Sequence, residues 1–243
     1  MAGPARVLDL DMDFFLTDVC ALAAPGKRPS SAQARPWDEA AVRAFLEEKC
    51  GLSRKTRIPG RVFDTHDGAL FLWKEQIEAG KLTAPFCVTH VDAHADLGIG
   101  KPGPAYVLET VLALPPDARG DIDRYRREEK LDEANYLLFA LALRYVCALE
   151  NVRNPRSRAD MPTRISTDGT QRPPALRLAS SLSQLLPQYD FHEPEVPYAA
   201  FDDWRNFRAS APYALASMAI SPRYAPPEAD FIAGVFREYI DEI

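Results

Sequence analysis

The sequence contains few cysteines and no long apolar run. Its four cysteines, Cys20, Cys50, Cys87 and Cys147, form no Cys-x-x-Cys pair and lie within or beside apolar patterns, so we expect free, buried thiols and a reducing, cytoplasmic environment. The longest apolar stretch, around residues 137–146, is too short to cross a membrane, and the acidic amino terminus does not resemble a secretion signal. We therefore expect no membrane partner.

Concentrated positive charge is also missing. The chain carries 29 Lys and Arg residues against 35 Asp and Glu residues, and no basic block contains interleaved aromatic residues, so we expect no nucleic-acid partner. The 243 residues with 47% hydrophobic content suit a single α/β domain. Residues 153–174 lack periodicity and are rich in Arg, Pro, Ser and Thr, which predicts a flexible loop or an insertion.

Side chains with metal-binding chemistry follow an apolar, strand-like run. Asp92, His94 and Asp96 are spaced two residues apart, which in an extended chain places all three side chains on one face. Two carboxylates that flank an imidazole suit Mn²⁺, Fe²⁺ or Zn²⁺ better than Ca²⁺. The alternative interpretation is a solvated polar loop after a buried strand.

A second acidic run lies near the amino terminus, where apolar residues alternate with aspartates. If residues 7–15 form a strand, Asp9, Asp11 and Asp13 share one face and the intervening apolar side chains bury the other. Carboxylates lined up in this way repel one another and cost several kcal/mol each to desolvate unless a cation lies among them. The run therefore favours a metal site over a half-exposed strand whose acidic face is in contact with solvent.

His66 lies where a short strand pattern gives way to a helical pattern. Such strand-to-helix turns cluster at the carboxyl edge of α/β sheets, where ligands bind. A single loop histidine is usually a capping or surface residue. However, the chain has only four histidines, and two others, His90 and His94, accompany the first motif, so we group His66 with that motif.

Apolar periodicity predicts the remaining elements. Helices are expected at residues 38–49, 69–80, 106–114, 132–150, 176–186 and 228–240, with a further strand at 213–221. The highly charged residues 121–130 are expected to be exposed.

Together the three motifs resemble those of the arginase and agmatinase (ureohydrolase) superfamily. Asp92-Ala-His94-Ala-Asp96 is similar to its Asp-x-His-x-Asp motif, the amino-terminal Asp-x-Asp run to its Ser-x-Asp-x-Asp motif, and Asp64-Thr-His66-Asp to its Gly-Asp-His-Ser loop.

The resemblance is closer to the peptide arginases, which convert arginine residues of ribosomally made peptides to ornithine. The shared features are the Leu-Asp-Leu-Asp-x-Asp-Phe-Phe start, the short spacing between His66 and Asp92, the helix start at Asn135-Tyr-Leu-Leu, and a late strand resembling residues 219–226. The resemblance implies a single arginase-like domain over residues 1–243. It also implies a three-layer α/β/α, arginase/deacetylase-like fold with a mainly parallel sheet. The motif order is rearranged, because the Asp-x-Asp strand comes last in ordinary arginases.

The resemblance also implies a centre of two Mn²⁺ ions. The metal ligands expected from it are Asp9, Asp11, Asp13, His66, Asp92, His94 and Asp96. Alignment of the motif favours Asp11 and Asp13, but which two of the three amino-terminal aspartates are ligands stays open.

Catalytic and substrate contacts follow from the same resemblance. Asp96, Asp67 and Asn135 are the expected catalytic residues, and Asn135 and Asp9 the expected substrate contacts. Ordinary agmatinases carry a glutamate where this chain has Ala219, so the acid that binds the guanidinium must lie elsewhere. The candidates are Asp9, Asp67 and Glu193, and the sequence does not choose among them.

The function that this resemblance implies is a binuclear manganese hydrolase. It would convert arginine to ornithine within a precursor peptide and release urea, so its expected partner is an arginine-containing precursor peptide. Two alternatives stay open: a metal-dependent hydrolase of a small guanidine or acyl-amine, of the agmatinase or deacetylase type, and a non-catalytic metal-binding protein.

Overall fold

A mainly parallel sheet forms the centre of the computed structural model, which describes residues 3–98, 103–180 and 193–243. Its eight strands in this part of the chain are β1 (Arg6–Asp11), β2 (Ile58–Phe63), β3 (Phe86–Asp92), β4 (Val146–Arg153), β5 (Ala175–Leu176), β6 (Val196–Phe201), β7 (Leu215–Ala219) and β8 (Ile240–Glu242). They lie in the order β5-β6-β4-β3-β1-β7-β2-β8. Every neighbouring pair is parallel except β5 and β6.

Helices cover both faces of the sheet. They are α1 (Glu39–Ala44), α2 (Gly68–Glu78), α3 (Ile122–Arg127), α4 (Tyr136–Ala142) and α5 (Phe231–Arg237). One apolar core contains Trp73, Tyr125 and Leu138 from α2, α3 and α4. The other contains Val42 from α1 and Phe236 from α5. The predicted three-layer α/β/α arrangement with a mainly parallel sheet is therefore confirmed.

Strand β1 lies between these two cores. Leu8 and Leu10 belong to one core and Val7 to the other, and all three side chains are fully buried. A strand that is covered on both faces and paired in parallel on both edges is normally apolar throughout. The two aspartates of β1, Asp9 and Asp11, therefore stand out as buried polar groups that need partners.

The predicted helix over residues 132–150 is wrong in its second half. Helix α4 ends at Ala142, and Arg144 adopts the left-handed backbone conformation with φ 59°, after which β4 begins at Val146. Both elements are largely buried, so their sequences form a nearly continuous apolar run. Apolar periodicity alone therefore could not locate the boundary between helix and strand.

Several other predicted boundaries also shift. The first strand stops at Asp11 and continues as a 3-10 helix, Met12–Phe15. The region 106–114 contains a π-helical turn, Val107–Val111. The closing helix is shorter than 228–240 because Ile240 already belongs to β8. The predicted helix 176–186 begins within strand β5, and residues 181–186 lie outside the described part of the chain.

Other predicted elements are confirmed. Helical structure fills 39–49, α2 covers most of 69–80, and β7 lies within 213–221. The charged region 121–130 contains α3, and its charged residues are exposed or half-buried as predicted, but Ile122 and Tyr125 are buried.

The loop predicted at 153–174 is irregular except for one 3-10 turn, Thr163–Ile165. It is nevertheless anchored, because Ile165 is buried and Arg153, the last residue of β4, forms an ion pair with Asp160 at 2.9 Å. The mobility of this loop stays a prediction.

The thiol and membrane predictions have mixed outcomes. All four cysteines are free, as predicted, but only Cys20 and Cys50 are buried. Cys87 and Cys147 are half-buried, with their Sγ atoms 3.7 Å apart. Among the described residues, no helix is long and apolar enough to cross a bilayer.

Shortening a buried side chain of β1 tests whether this strand lies in the core of the protein. We expect Leu10→Ala to lower the free energy of unfolding by about 2–5 kcal/mol, because Leu10 is fully buried beneath α1 and α5. Leu22→Ala is the matched control, since Leu22 is 52% exposed and should change stability by less than about 0.5 kcal/mol. Chemical denaturation measures both variants, and equal effects would contradict the assigned core.

Candidate metal centre

The predicted site residues meet at the carboxyl edge of the sheet. Asp9 of β1 is in register with His90 of β3 and Ser217 of β7, so the ends of these strands lie side by side. Strand β2 ends beside β7, and the turn after it brings His66 to the same edge. A Cβ at Gly68 would lie 2.6 Å from the Phe63 ring, so glycine is needed for α2 to start this close to β2.

One group of ligand atoms surrounds His66. Its Nδ1 atom lies 3.0 Å from Asp92 Oδ2, 3.0 Å from Asp96 Oδ2 and 3.2 Å from Asp11 Oδ2. A single ring nitrogen carries at most one hydrogen and can satisfy only one of these carboxylates. Three carboxylate oxygens around one imidazole nitrogen are therefore the arrangement expected of ligands that share a cation.

A second group forms around His94. Its Nδ1 atom lies 3.1 Å from Asp13 Oδ2 and 3.5 Å from Asp92 Oδ1. Asp92 thus presents one oxygen to His94 and the other to His66. The two groups are adjacent and share this carboxylate.

These side chains do not share one extended face, so the predicted local geometry is wrong. Strand β3 ends at Asp92, whose Oδ1 accepts a hydrogen bond from the His94 amide at 2.7 Å, and Asp96 turns back with φ 48°. Asp11 caps the 3-10 helix by accepting from the Asp13 amide at 2.9 Å. Carboxylate-capped turns therefore gather the ligands at the ends of the strands.

His90 is a further candidate ligand that the sequence analysis left out. Its ligand atoms lie within 4.8 Å of those of His66, Asp92 and Asp96, and its buried ring stacks on His66 with centroids 5.1 Å apart. The available signal was its position two residues before Asp92, which continues the alternation along β3.

Asp9 lies beneath the site and belongs to neither group. Its side chain is fully buried and accepts hydrogen bonds from the Tyr136 hydroxyl and from Ser217 Oγ, the latter at 2.8 Å. It also lies 3.3 Å from His66 Nε2 and 3.3 Å from His90 Nδ1. This position suits a residue that orients the two imidazoles, and the assignment of Asp11 and Asp13 as the ligands stays a prediction.

Asp67 and Asn135 are near the site but engaged elsewhere. Asp67 forms an ion pair with Arg126 at 3.1 Å. The Asn135 amide accepts from the Asp132 N–H and donates to the Lys130 carbonyl, both at 3.0 Å, and so shapes the loop before α4. Neither side chain lines the cavity at the site.

Burial of so many charges shifts their pKa values in opposite directions. Burial raises the pKa of Asp96 to about 7, with the negative charge of Asp92 adding to the effect. Burial and the charges of Asp11 and Asp92 also raise the pKa of Asp13. Burial acts the same way on Asp92, but hydrogen bonds from His66 and His94 lower its pKa below the usual range.

The histidines hold their protons strongly in this environment. Burial opposes their charge, but nearby carboxylates, above all Asp9 for His66 and Asp13 for His94, raise both pKa values above the ordinary value. Protons on these rings therefore compensate the negative charge when no metal is bound.

The donor set fits a metal ion. His66 Nε2 and His90 Nε2 are buried and form no hydrogen bond with the described residues, although carboxylate oxygens of Asp9 and Asp92 lie 3.3 and 3.4 Å from them, respectively. Buried polar atoms without a hydrogen bond cost free energy, and a cation among these donors would lower that cost. A cavity of about 100 Å³ opens onto the carboxylates and imidazoles. It is lined by Asp11, His66, Asp92, His94, Asp96, Glu133, Ala134, Asp160, Ser221 and Tyr224.

No protein-family model, curated protein or solved structure matches this chain. The resemblance to the ureohydrolases therefore rests on the motifs and stays a prediction. The buried cluster of His66, His90, Asp92 and Asp96 is a candidate metal site by its geometry alone.

Asparagine substitutions at the three amino-terminal aspartates test their assignment. We expect Asp11→Asn and Asp13→Asn each to lower the bound Mn²⁺, because each removes an anionic ligand atom. Asp9→Asn should keep its metal, since the amide can still bond Ser217 and Tyr136. Elemental analysis of folded protein measures the content, and full metal in all three variants would contradict the centre.

Metal binding should release protons. Between pH 6 and 8 the metal-free site keeps protons on His66 and His94, whereas Asp96, with a pKa of about 7, loses its proton within this range; ligands must lose such protons to bind a metal. We therefore expect Mn²⁺ affinity to rise with pH, by roughly tenfold per pH unit for each proton displaced. Titration calorimetry in buffers of different ionisation enthalpy counts the protons. Asp96→Asn should release fewer, whereas a pH-independent affinity would contradict the assigned protonation.

Proposed function

We propose that this protein is a binuclear Mn²⁺ hydrolase that converts peptidyl arginine to peptidyl ornithine and releases urea, during maturation of a ribosomally made peptide. The observation that carries the proposal is the shared carboxylate, because Asp92 presents one oxygen to each of two adjacent ligand groups. A carboxylate between two cations 3.5–4 Å apart is the usual core of two-metal hydrolytic sites.

The ligand set follows from the two groups. His66, His90, Asp11 and Asp96 would hold one ion, His94 and Asp13 the other, and Asp92 both. Bound Mn²⁺ would supply Lewis-acid chemistry and lower the pKa of a water molecule in the cavity.

Asp96 is placed to move the proton that the reaction requires. Its carboxylate lines the cavity beside His66. When the oxygen of water attacks the guanidinium carbon, Asp96 accepts the proton that water loses. It returns that proton to the side-chain nitrogen of ornithine as the carbon–nitrogen bond breaks, and urea leaves. Ser221 Oγ bonds Asp11 and so fixes the neighbouring carboxylate.

An open site favours catalysis over a structural metal. Structural metal sites are closed by protein ligands, whereas catalytic sites keep a position for water or substrate. Here His94 is 34% exposed and the cavity reaches its ring. This accessibility supports a hydrolase rather than a non-catalytic metal-binding protein.

A neighbouring groove favours a peptide over a small guanidine or acyl-amine. A cavity of about 390 Å³ shares His94 and Asp160 with the site and continues past Cys20 to Arg156 and Arg158. A free amino acid or polyamine would leave this groove empty, whereas the residues that flank an arginine in a peptide would lie along it.

Incubation with Mn²⁺ and three substrates tests the proposal: an arginine-containing precursor peptide encoded near this gene, free arginine and agmatine. We expect a loss of about 42 Da per modified arginine in the peptide, the mass of the urea that leaves minus that of the water that is added. Mass spectrometry measures the loss.

Two variants control the experiment. Asp92→Asn should abolish turnover because Asp92 contacts both ligand groups, and Asp123→Asn, an exposed residue of α3, should leave turnover unchanged. Turnover of agmatine or arginine alone would move the protein to the small-molecule hydrolases. No turnover of any substrate would contradict the proposed activity.

A further inference from the structure

The three candidates from the sequence for the acid that binds the guanidinium all have partners elsewhere. Asp9 is fully buried and bonded to Tyr136 and Ser217. Asp67 is paired with Arg126. Glu193 is paired with Arg119 at 2.9 Å and with Arg144 at 2.7 Å. None of the three lines the cavity at the metal centre.

Among the described residues, one carboxylate of the cavity wall has neither a proposed ligand role nor a hydrogen-bond or ion-pair partner. Asp11, Asp92 and Asp96 belong to the ligand groups. Asp160 accepts a hydrogen bond from the Ala95 amide at 2.8 Å and pairs with Arg153 at 2.9 Å. Glu133, by contrast, forms no hydrogen bond or ion pair with any residue of 3–98, 103–180 or 193–243.

The loop before α4 holds Glu133 at the cavity. Asn135 fixes this loop through its bonds to the backbone of Asp132 and Lys130. The Ala134 carbonyl accepts a hydrogen bond from the Gly98 amide at 2.9 Å, which ties the loop to the chain just after the Asp92 to Asp96 motif. The position of Glu133 relative to the metal ligands is therefore set by backbone contacts on both sides.

The surroundings of Glu133 suit a planar cation. Burial raises the pKa of Glu133, and the charges of Asp67 and Asp132 add to the rise, whereas the charge of Arg223 opposes it. Because the net shift is upward, a further positive charge beside the carboxylate would be favourable. Tyr224 lines the same cavity with its ring 5.1 Å from that of His94. Burial and the charge of Glu133 together raise the pKa of Tyr224 to about 12, and both side chains line the same cavity. A carboxylate and an aromatic face are the two groups that bind guanidinium best.

We propose that Glu133 binds the guanidinium of the substrate and makes the site selective for a cationic side chain over a neutral one of the same shape. The inference rests on the proposed function and names the specificity-determining residue of that same site. It also gives Asn135 a positioning role, since the Asn135 amide shapes the loop that carries Glu133.

The test compares Glu133→Gln with the wild type as full-length, Mn²⁺-loaded protein. Two fluorescent peptides are used that differ only in one residue, arginine or its neutral counterpart citrulline. We expect Glu133→Gln to raise KM for the arginine peptide by about 10- to 100-fold, with kcat changed by less than about threefold, because a charge-assisted contact to the bound substrate is lost. Metal content should not change, since Glu133 is not a ligand.

Glu129→Gln is the matched control, because Glu129 is exposed, precedes the same loop and does not line the cavity. Fluorescence anisotropy measures the binding of both peptides, and mass spectrometry of the same samples corrects for turnover. The wild type should bind the arginine peptide at least tenfold more tightly than the citrulline peptide, and Glu133→Gln should remove most of this preference.

The possible results of these measurements distinguish a failure of the role of Glu133 from a failure of the proposed hydrolase activity. Turnover with an unchanged KM in Glu133→Gln overturns the role of Glu133 and leaves the hydrolase standing. Absence of turnover, with a preference for arginine that disappears in Glu133→Gln, overturns the hydrolase and supports the role of Glu133. A wild type that binds both peptides equally overturns the inference.

Discussion

Negative charge buried at one edge of the sheet is the constraint on which the rest of the structure depends. Five aspartates are at most 9% exposed there, and they are Asp9, Asp11, Asp13, Asp92 and Asp96. Such a concentration is stable only if protons, donors or cations compensate it. His66 and His94 supply part of the compensation, because the carboxylates raise both of their pKa values. Metal ions in the same positions would replace those protons, which links folding, protonation and metal binding at one place.

The parallel sheet brings these charged side chains together. Strands β1, β3 and β7 run side by side in the same direction, so their carboxyl ends deliver side chains to one edge. Two turns then position the remaining side chains. Asp11 caps the 3-10 helix that carries Asp13, and Asp92 caps the turn that carries His94. The ligand positions are thus fixed by backbone hydrogen bonds to the ligands themselves. A substitution at such a position removes a ligand atom and a turn contact together.

The two sides of the centre differ in character. On the sheet side, Asp9 binds Tyr136 and Ser217 and contacts both buried imidazoles, which closes the site. On the opposite side, His94 and Tyr224 face a cavity that continues into a larger groove. Among the described residues, the cavity beside the ligand groups therefore opens on the side of His94 and Tyr224. This asymmetry supports a role in which a long substrate inserts a single side chain toward the metal ligands while its neighbours lie in the groove.

Local pattern in the sequence determined strands β1, β2, β3 and β7, the burial of β1 and most of the residues with metal-binding chemistry, because each depends on residues close together in the chain. The same pattern could not separate α4 from β4, since both are buried and apolar around a left-handed residue, Arg144. Nor could it assign Asp9, whose partners Tyr136 and Ser217 lie 127 and 208 residues away. Only the tertiary structure showed which aspartates lie beside His66 and His94, that His90 is close to them and that Glu133 lines the cavity. Those positions depend on which strand ends and loops lie next to each other in the folded chain. A local sequence pattern does not predict contacts between residues that are far apart in sequence.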